Sequence, residues 1–505
     1  MLFSSPCFMI PRPLVDTPET LADSGSSSFS ILSSEGLHWL YEKSRHGSVD
    51  LEGFDSPLHP QNKFIDDDPL ADGRLNEPFI ALPPKYLALQ LFNTYFREIN
   101  PFCPFFDEDE FVSRVEREYP IYPQSSPSWW ACINATIALS CAVEPGFHSK
   151  AWFYWKNATL SLNNFFIGRP QLPSAQALIA MTAYLIGTFS ATPSHTFVSL
   201  AMRILHGLNP AECERSPVYR RVLAITYDLD IDISLSSAMP PLQPIPNASL
   251  KQLFDDRIKN TNSPSSKHNF ASSYIFDLFD SYCELTNLKS HVYRELYSTT
   301  AGDRTDAEII TIVGQLDTLL QDWRDGIPHD YRPELAKPDE LVRKDPHLSI
   351  LYMHFSYYAC VLAIHRRAIS RATWSMDLDP RSIRPLSLRS PNSRTLISAQ
   401  LCMRAARELM ELIRYIPRDH TLFAGSIAYC TMFAFMILSM LIVQDPQVAK
   451  GSTDIKLMLT VENYFSEISM IQSDGNITNF VQCCARYRSI AEAAIKQSQE
   501  GVLEK

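Results

Sequence analysis

The stretch AEIITIVGQLDTLLQDWR (Ala307–Arg324) decides the fold class. Its apolar residues Ile309, Ile312, Val313, Leu316, Leu319, Leu320 and Trp323 recur at i, i+3, i+4, i+7, i+10, i+11 and i+14, one face of an α-helix. Thr305 and Glu308 have capping-box spacing at its start, and Gly326 and Pro328 stop it.

The same period runs outward in both directions. Leu87, Leu91 and Tyr95 share a face, with Phe92 and Phe96 beside it, and Asp107 with Glu110 opens the next helix. Helices are predicted over 128–143, 152–166, 174–189, 194–208, 217–236, 347–371, 395–416, 421–443, 453–471 and 477–497. The segments 174–189 and 194–208 read as an antiparallel pair. No segment keeps a period of two for long, so the fold class is all-α: a large multi-helix domain over 84–497. Residues 1–80 are rich in Ser, Asp and Pro and carry 13 acidic against 5 basic residues. They read as a mostly disordered acidic segment with one short helix near 36–43. The Pro- and Ser-dense stretches 240–266 and 373–394 read as exposed loops.

Composition narrows the chemistry. Of 505 residues, 45% are hydrophobic and 20% charged, a globular balance. Net charge is −11 with no basic stripe, unlike a free-standing nucleic-acid binder. The eleven cysteines form no CxxC pair and read as reduced thiols, so a cysteine zinc site is not expected. With 16 glycines, none two apart, the dinucleotide fingerprint is excluded in its usual form. Walker-type, GxSxG and HExxH patterns are missing too.

Two acidic patterns invite metal readings. Asp228, Asp230 and Asp232 alternate as in a calcium loop, but Ile233 and Met239 stand where that loop needs Gly and Glu. A structural role is expected instead, with Asp230 capping or pairing with Arg220 or Arg221. The run Asp66–Asp68 lacks DDxxD spacing, which weighs against a terpene-cyclase-like enzyme. That all-α enzyme class stays as an alternative. A second alternative is a membrane anchor formed by the uncharged, apolar segment 421–443, against which a core helix is preferred.

One stretch is basic. Arg366, Arg367, Arg371, Arg381, Arg384, Arg389 and Arg394 face only Asp377 and Asp379 over 29 residues. Of these, Arg366, Arg367, Arg371, Arg381 and Arg384 are the candidate anion or partner surface, with a solvated loop as the plainer reading. His365, before Arg366, is read as closing an apolar helix. The glycosylation-type triplets at Asn134, Asn157, Asn247 and Asn476 are read as chance matches.

Several segments in order resemble the fungal-specific transcription factor domain, the middle homology region of fungal zinc-cluster regulators. Leu87–Phe111 is similar to its opening, with paired aromatics running into a Pro-aromatic turn. Ser174–Phe189 resembles its "QAL" helix, and Ala201, Arg203, Gly207 and Leu208 its "A-x-R-x-x-x-G-L" segment. Arg220, Arg221, Tyr227 and Asp230 resemble the signature "RRvfW-x-x-Y-x-x-D", although Leu223–Ala224 replaces the aromatic pair and Ala238-Met239-Pro240 the Gly-Arg-Pro. Trp323 matches "L-x-x-W-x-x-x-l-P", and 347–367 and 398–413 match two later helices.

The resemblance spans about 36–497. It implies a nuclear, non-catalytic regulatory domain that senses a metabolite or partner, in control of metabolic or secondary-metabolite genes. The implied partners are the transcription machinery or a DNA-binding homologue, with a small-molecule effector and homo- or heterodimers allowed for. Only Cys7 precedes Cys103, without a basic run, so the family's six-cysteine cluster has no counterpart. Direct DNA binding and a cofactor are therefore not expected; zinc would enter only with such a cluster upstream.

Overall fold

A computed structural model describes residues 79–503, except 121, 123–124, 190–193, 210–215, 238–239, 243–277, 299–300, 302–303, 335–346, 375–392, 419, 445–451 and 473–474. The acidic segment 1–78, its helix near 36–43, and most of the two expected loops lie outside these residues. Among the described residues there is no strand.

The first half of the chain forms α1 (Lys85–Glu98), α2 (Glu108–Glu118), α3 (Pro127–Val143), α4 (His148–Thr159), α5 (Leu162–Ile167), α6 (Leu172–Gly187), α7 (Ser194–His206) and α8 (Pro217–Ser237). The second half forms α9 (Leu278–Leu296), α10 (Asp306–Gly326), α11 (His347–Trp374), α12 (Ser393–Leu412), α13 (Thr421–Gln444), α14 (Ser452–Gln472) and α15 (Gly475–Leu503). Short 3-10 turns lie at His329–Tyr331 and Ile413–Tyr415. The pair α6 and α7 packs together as expected.

Local chemistry accounts for the boundaries. Thr305 and Glu308 satisfy each other's backbone N–H groups at the start of α10, a full capping box. Asp107 accepts the Glu110 N–H at 3.2 Å and caps α2. The helix expected over 152–166 is instead two. The chain tightens at Leu160–Ser161, where the Ser161 hydroxyl donates to the Pro127 carbonyl at 2.6 Å. Helix α9 has no counterpart among the predicted elements. Its buried face includes Thr286, Lys289 and Ser290, which interrupt the apolar period.

Two hydrophobic cores result. The first centres on Phe92, Tyr95, Phe111, Trp129 and Trp155, and the second on Leu351, Phe435, Phe465 and Tyr487. Helix α13 joins them: Leu422 belongs to the first core and Phe423 to the second. Its start is tied to the first half by the Thr421 hydroxyl, which donates to the Ala142 carbonyl at 2.7 Å. By length and composition, Thr421–Val443 and Leu348–Ile369 could each cross a membrane. Both are mostly buried inside this body, α13 against α6, α12 and α15, as core helices are.

Candidate functional site

Where the two halves meet, α8 and α9 enclose a cluster of charge. Asp228 and Asp232 are four residues apart and so lie on one face of α8. Tyr282, Thr286 and Lys289 form the matching face of α9. The Lys289 ammonium donates to Asp228 Oδ1 at 2.9 Å and to Asp232 Oδ1 at 2.8 Å. Thr286 Oγ1 donates to Asp228 Oδ1 at 2.7 Å, and the Tyr282 hydroxyl donates to Asp228 Oδ2. Asp228 and Lys289 are almost wholly buried, with side chains 1% and 3% exposed.

Burial alone would lower the Lys289 ammonium, but the two carboxylates outweigh it and hold its pKa above the ordinary lysine range. Burial and the neighbouring Asp228 push Asp232 up, against the pull of Lys289. Such a pair is costly to leave half-made, which locks α8 to α9.

The cluster is not sealed. The Asp232 side chain keeps 39% of its accessible surface. Tyr282, Tyr352, Cys103 and Cys430 around it are also only partly covered. Yet burial is the chief cause that pushes the thiols of Cys103 and Cys430 up to about 12 and the two tyrosine hydroxyls well above their usual range. Aromatic rings flank the cluster: Tyr352 lies 5.9 Å from Tyr282, 6.3 Å from Phe102 and 6.1 Å from Phe423, between ring centroids.

The signature residues spread along α8 and beyond. Asp230, on the opposite face from Asp228 and Asp232, accepts the Leu242 N–H at 2.9 Å rather than pairing with Arg220 or Arg221. Burial raises it to about 6. Arg221 reaches Asp107 at 3.9 Å, and the Tyr227 hydroxyl meets His206 Nε2 at 3.3 Å. Arg220 is half-buried near the start of α8. Trp323 donates its indole N–H to the Ser281 carbonyl at 2.9 Å and stacks on Tyr357, pinning α10 to α9 and α11.

The basic stretch needs correction. Helix α11 continues to Trp374, so His365, Arg366 and Arg367 lie within it and are buried. Arg366 Nε donates to the Tyr297 hydroxyl at 2.6 Å, and its guanidinium lies 4.8 Å from the Tyr297 and Phe433 ring centres. His365 bridges Ser398 and Asp317 at 3.2 Å each. These residues serve the interior rather than an exposed anion surface. The Arg371 side chain, Arg381 and Arg384 lie outside the described residues.

Among the described residues no group of three or more His, Cys, Asp or Glu is placed to hold a metal ion. Asn134 and Asn157 are buried, and the Asn157 amide donates to Asn134 Oδ1 at 3.0 Å.

The chain is 34% identical over 506 residues to the ABC-transporter-regulating transcription factor of Aspergillus fumigatus, and the same to the protein of that name from Aspergillus oryzae. Each match covers 95% of this chain and 55% of the relative. It is a relative of fungal transcription factors. The fusaridione A cluster transcription factor of Fusarium heterosporum is 25% identical over 449 residues, covering 85% of this chain and 81% of that protein. The chain thus spans about half the length of the two Aspergillus proteins. These relatives are named as regulators of transcription, not as enzymes, which supports a non-catalytic role. No family model matches the chain, and no solved structure matches it significantly.

Proposed function

We propose that this helical body is the regulatory domain of a fungal transcription regulator, of the fungal-specific transcription factor type, and that it acts in the nucleus by binding a metabolite or a protein partner. The carrying observation is the likeness over 95% of the chain to two proteins named as ABC-transporter-regulating transcription factors. The relative named for a biosynthetic cluster extends the reading to metabolic or secondary-metabolite genes. The two cores joined through α13 and the α8–α9 cluster suit a relay, because a change at their seam bears on both halves. DNA reading is not assigned to this chain, so its partners are the transcription machinery or a DNA-binding homologue, with dimers of either kind.

Raised expression of the chain in a fungal host is expected to change transporter or biosynthetic-cluster transcripts several-fold; an unchanged transcript profile contradicts the reading. Purified full-length chain is expected to show no sequence-specific DNA affinity at physiological salt. Nanomolar binding that survives about 200 mM salt overturns that part.

A further inference from the structure

We propose that the exposed apolar and basic face running from the end of α4 to the end of α7 is covered by this chain's own segment Phe64–Asp68 (FIDDD). The contact does not require the regulatory role proposed above. It gives the first half of the body an interaction surface and names its occupant.

The face starts where the chain enters the body. The Lys156 ammonium, in the last turn of α4, lies 5.0 Å from the centre of the Phe79 ring, and the Ile80 carbonyl accepts the Asn157 side-chain amide at 2.8 Å. Phe79 is exposed, and so is Leu160, one turn after Lys156. Phe165 is buried and holds α5 down, which leaves Phe166 and Ile167 at its end 63% and 87% exposed. The chain then turns onto the end of α7: a Cβ on Gly207 would lie 3.0 Å from Pro170 Cγ. Arg169 on this turn and Arg203, one helical turn before Gly207, are exposed and make no ion pair among the described residues. Scattered apolar side chains on a surface are ordinary. Here four follow one another from the point of entry and end at two unpaired cations, which gives the face a single character.

The occupant follows from charge, order and reach. Between residues 160 and 227 the only acids are Glu212 and Glu214, against five arginines. Residues 1–78 carry 13 acidic against 5 basic residues. Within them, Phe64 and Ile65 are followed directly by Asp66, Asp67 and Asp68. On the face, Phe166 and Ile167 are followed by Arg169. The segment thus offers an apolar pair to an apolar pair and carboxylates to the two free guanidinium groups. Asp68 stands eleven residues before Phe79, a reach of up to about 36 Å. The path from Lys156 through the short α5 to Arg169 is at most about 30 Å long. A segment tethered so closely meets the face at an effective concentration on the order of millimolar. Exposed Asp–Arg pairs, weak and screened by salt, are then enough to hold it.

The test places p-benzoylphenylalanine at position 167 of the full-length chain, in place of Ile167. The chain is irradiated and its cross-links are mapped by mass spectrometry. An equal mixture of ordinary and isotope-labelled chain separates links within one chain from links between copies. The expected main product, at about 50 mM salt, joins position 167 to the peptide holding residues 64–68 of the same chain. Its yield is expected to fall about threefold or more at about 1 M salt, and likewise when Asp66→Asn, Asp67→Asn and Asp68→Asn are combined. Links chiefly between copies, links chiefly to other parts of the chain, or no links at all overturn the proposal. A yield unchanged by both salt and the Asn substitutions overturns it too, because the carboxylates then do not hold the segment. The same probe in place of Phe166 decides the matter where the first variant fails to fold.

Discussion

Gly187 at the end of α6 and Gly425 in α13 meet backbone to backbone. A Cβ on Gly425 would overlap the Gly187 carbonyl, and one on Gly187 would lie 2.9 Å from Leu422 Cα. The crossing lets α13 enter the first core while the rest of it fills the second.

Gly425→Ala is therefore expected to destabilise the chain by roughly 2 kcal/mol, the cost of forcing two backbones apart. Gly314, in α10, has nothing within 4 Å of its would-be Cβ. There the same change is expected to stabilise by about 0.5–1 kcal/mol through helix propensity. Denaturant midpoints of the two variants, compared with wild type, check the opposite signs.

Lys289→Met leaves Asp228 buried without its cation and is expected to cost about 3–5 kcal/mol. Adding Asp228→Leu removes the orphaned charge and is expected to restore much of the loss, since an apolar pair can replace a buried ionic one. Urea melts of the single and double variants check the recovery.

Much of this architecture is legible in the chain's periodicity. The capping box at Thr305 and Glu308 and the apolar face from Ile309 to Trp323 stand as the spacing predicts. The central cluster is not legible in that way. Helix α9 hides Lys289 and Thr286 on its buried face, so the hydrophobic signal fails at the cluster itself. The alternating Asp228, Asp230 and Asp232 lie in a predicted helix, but their spacing does not name the partner of each. Wound into α8, they split, two towards Lys289 and one towards Leu242. Arg366 misleads for a related reason: a run of arginines reads as solvated, and aromatic faces that bury one are distant in sequence.

Arg366→Ala is expected to cost roughly 2 kcal/mol or more, through the lost hydrogen bond to Tyr297 and the lost cation–π contacts. Inorganic phosphate is expected to leave the wild-type melting temperature unchanged, because Arg366 and Arg367 are buried. A marked phosphate-dependent rise would contradict their interior role.

His354 is buried on α11, with Nε2 2.8 Å from the Tyr331 carbonyl. Burial lowers its pKa from 6.5 to about 4, despite that bond. Neutral imidazole is thus favoured in the folded state. Its contribution, up to about 3 kcal/mol, is present above pH 6.5 and is lost as pH falls through about 4. His354→Gln is expected to flatten that part of the stability–pH curve; an unchanged curve would place the titration elsewhere.

The most direct measurement fuses the full chain to an unrelated DNA-binding module upstream of a reporter in a fungal host. A several-fold change in reporter output, relative to the module alone, is the expected result. Output equal to the module alone, with the fusion folded and in the nucleus, would contradict a role in transcription.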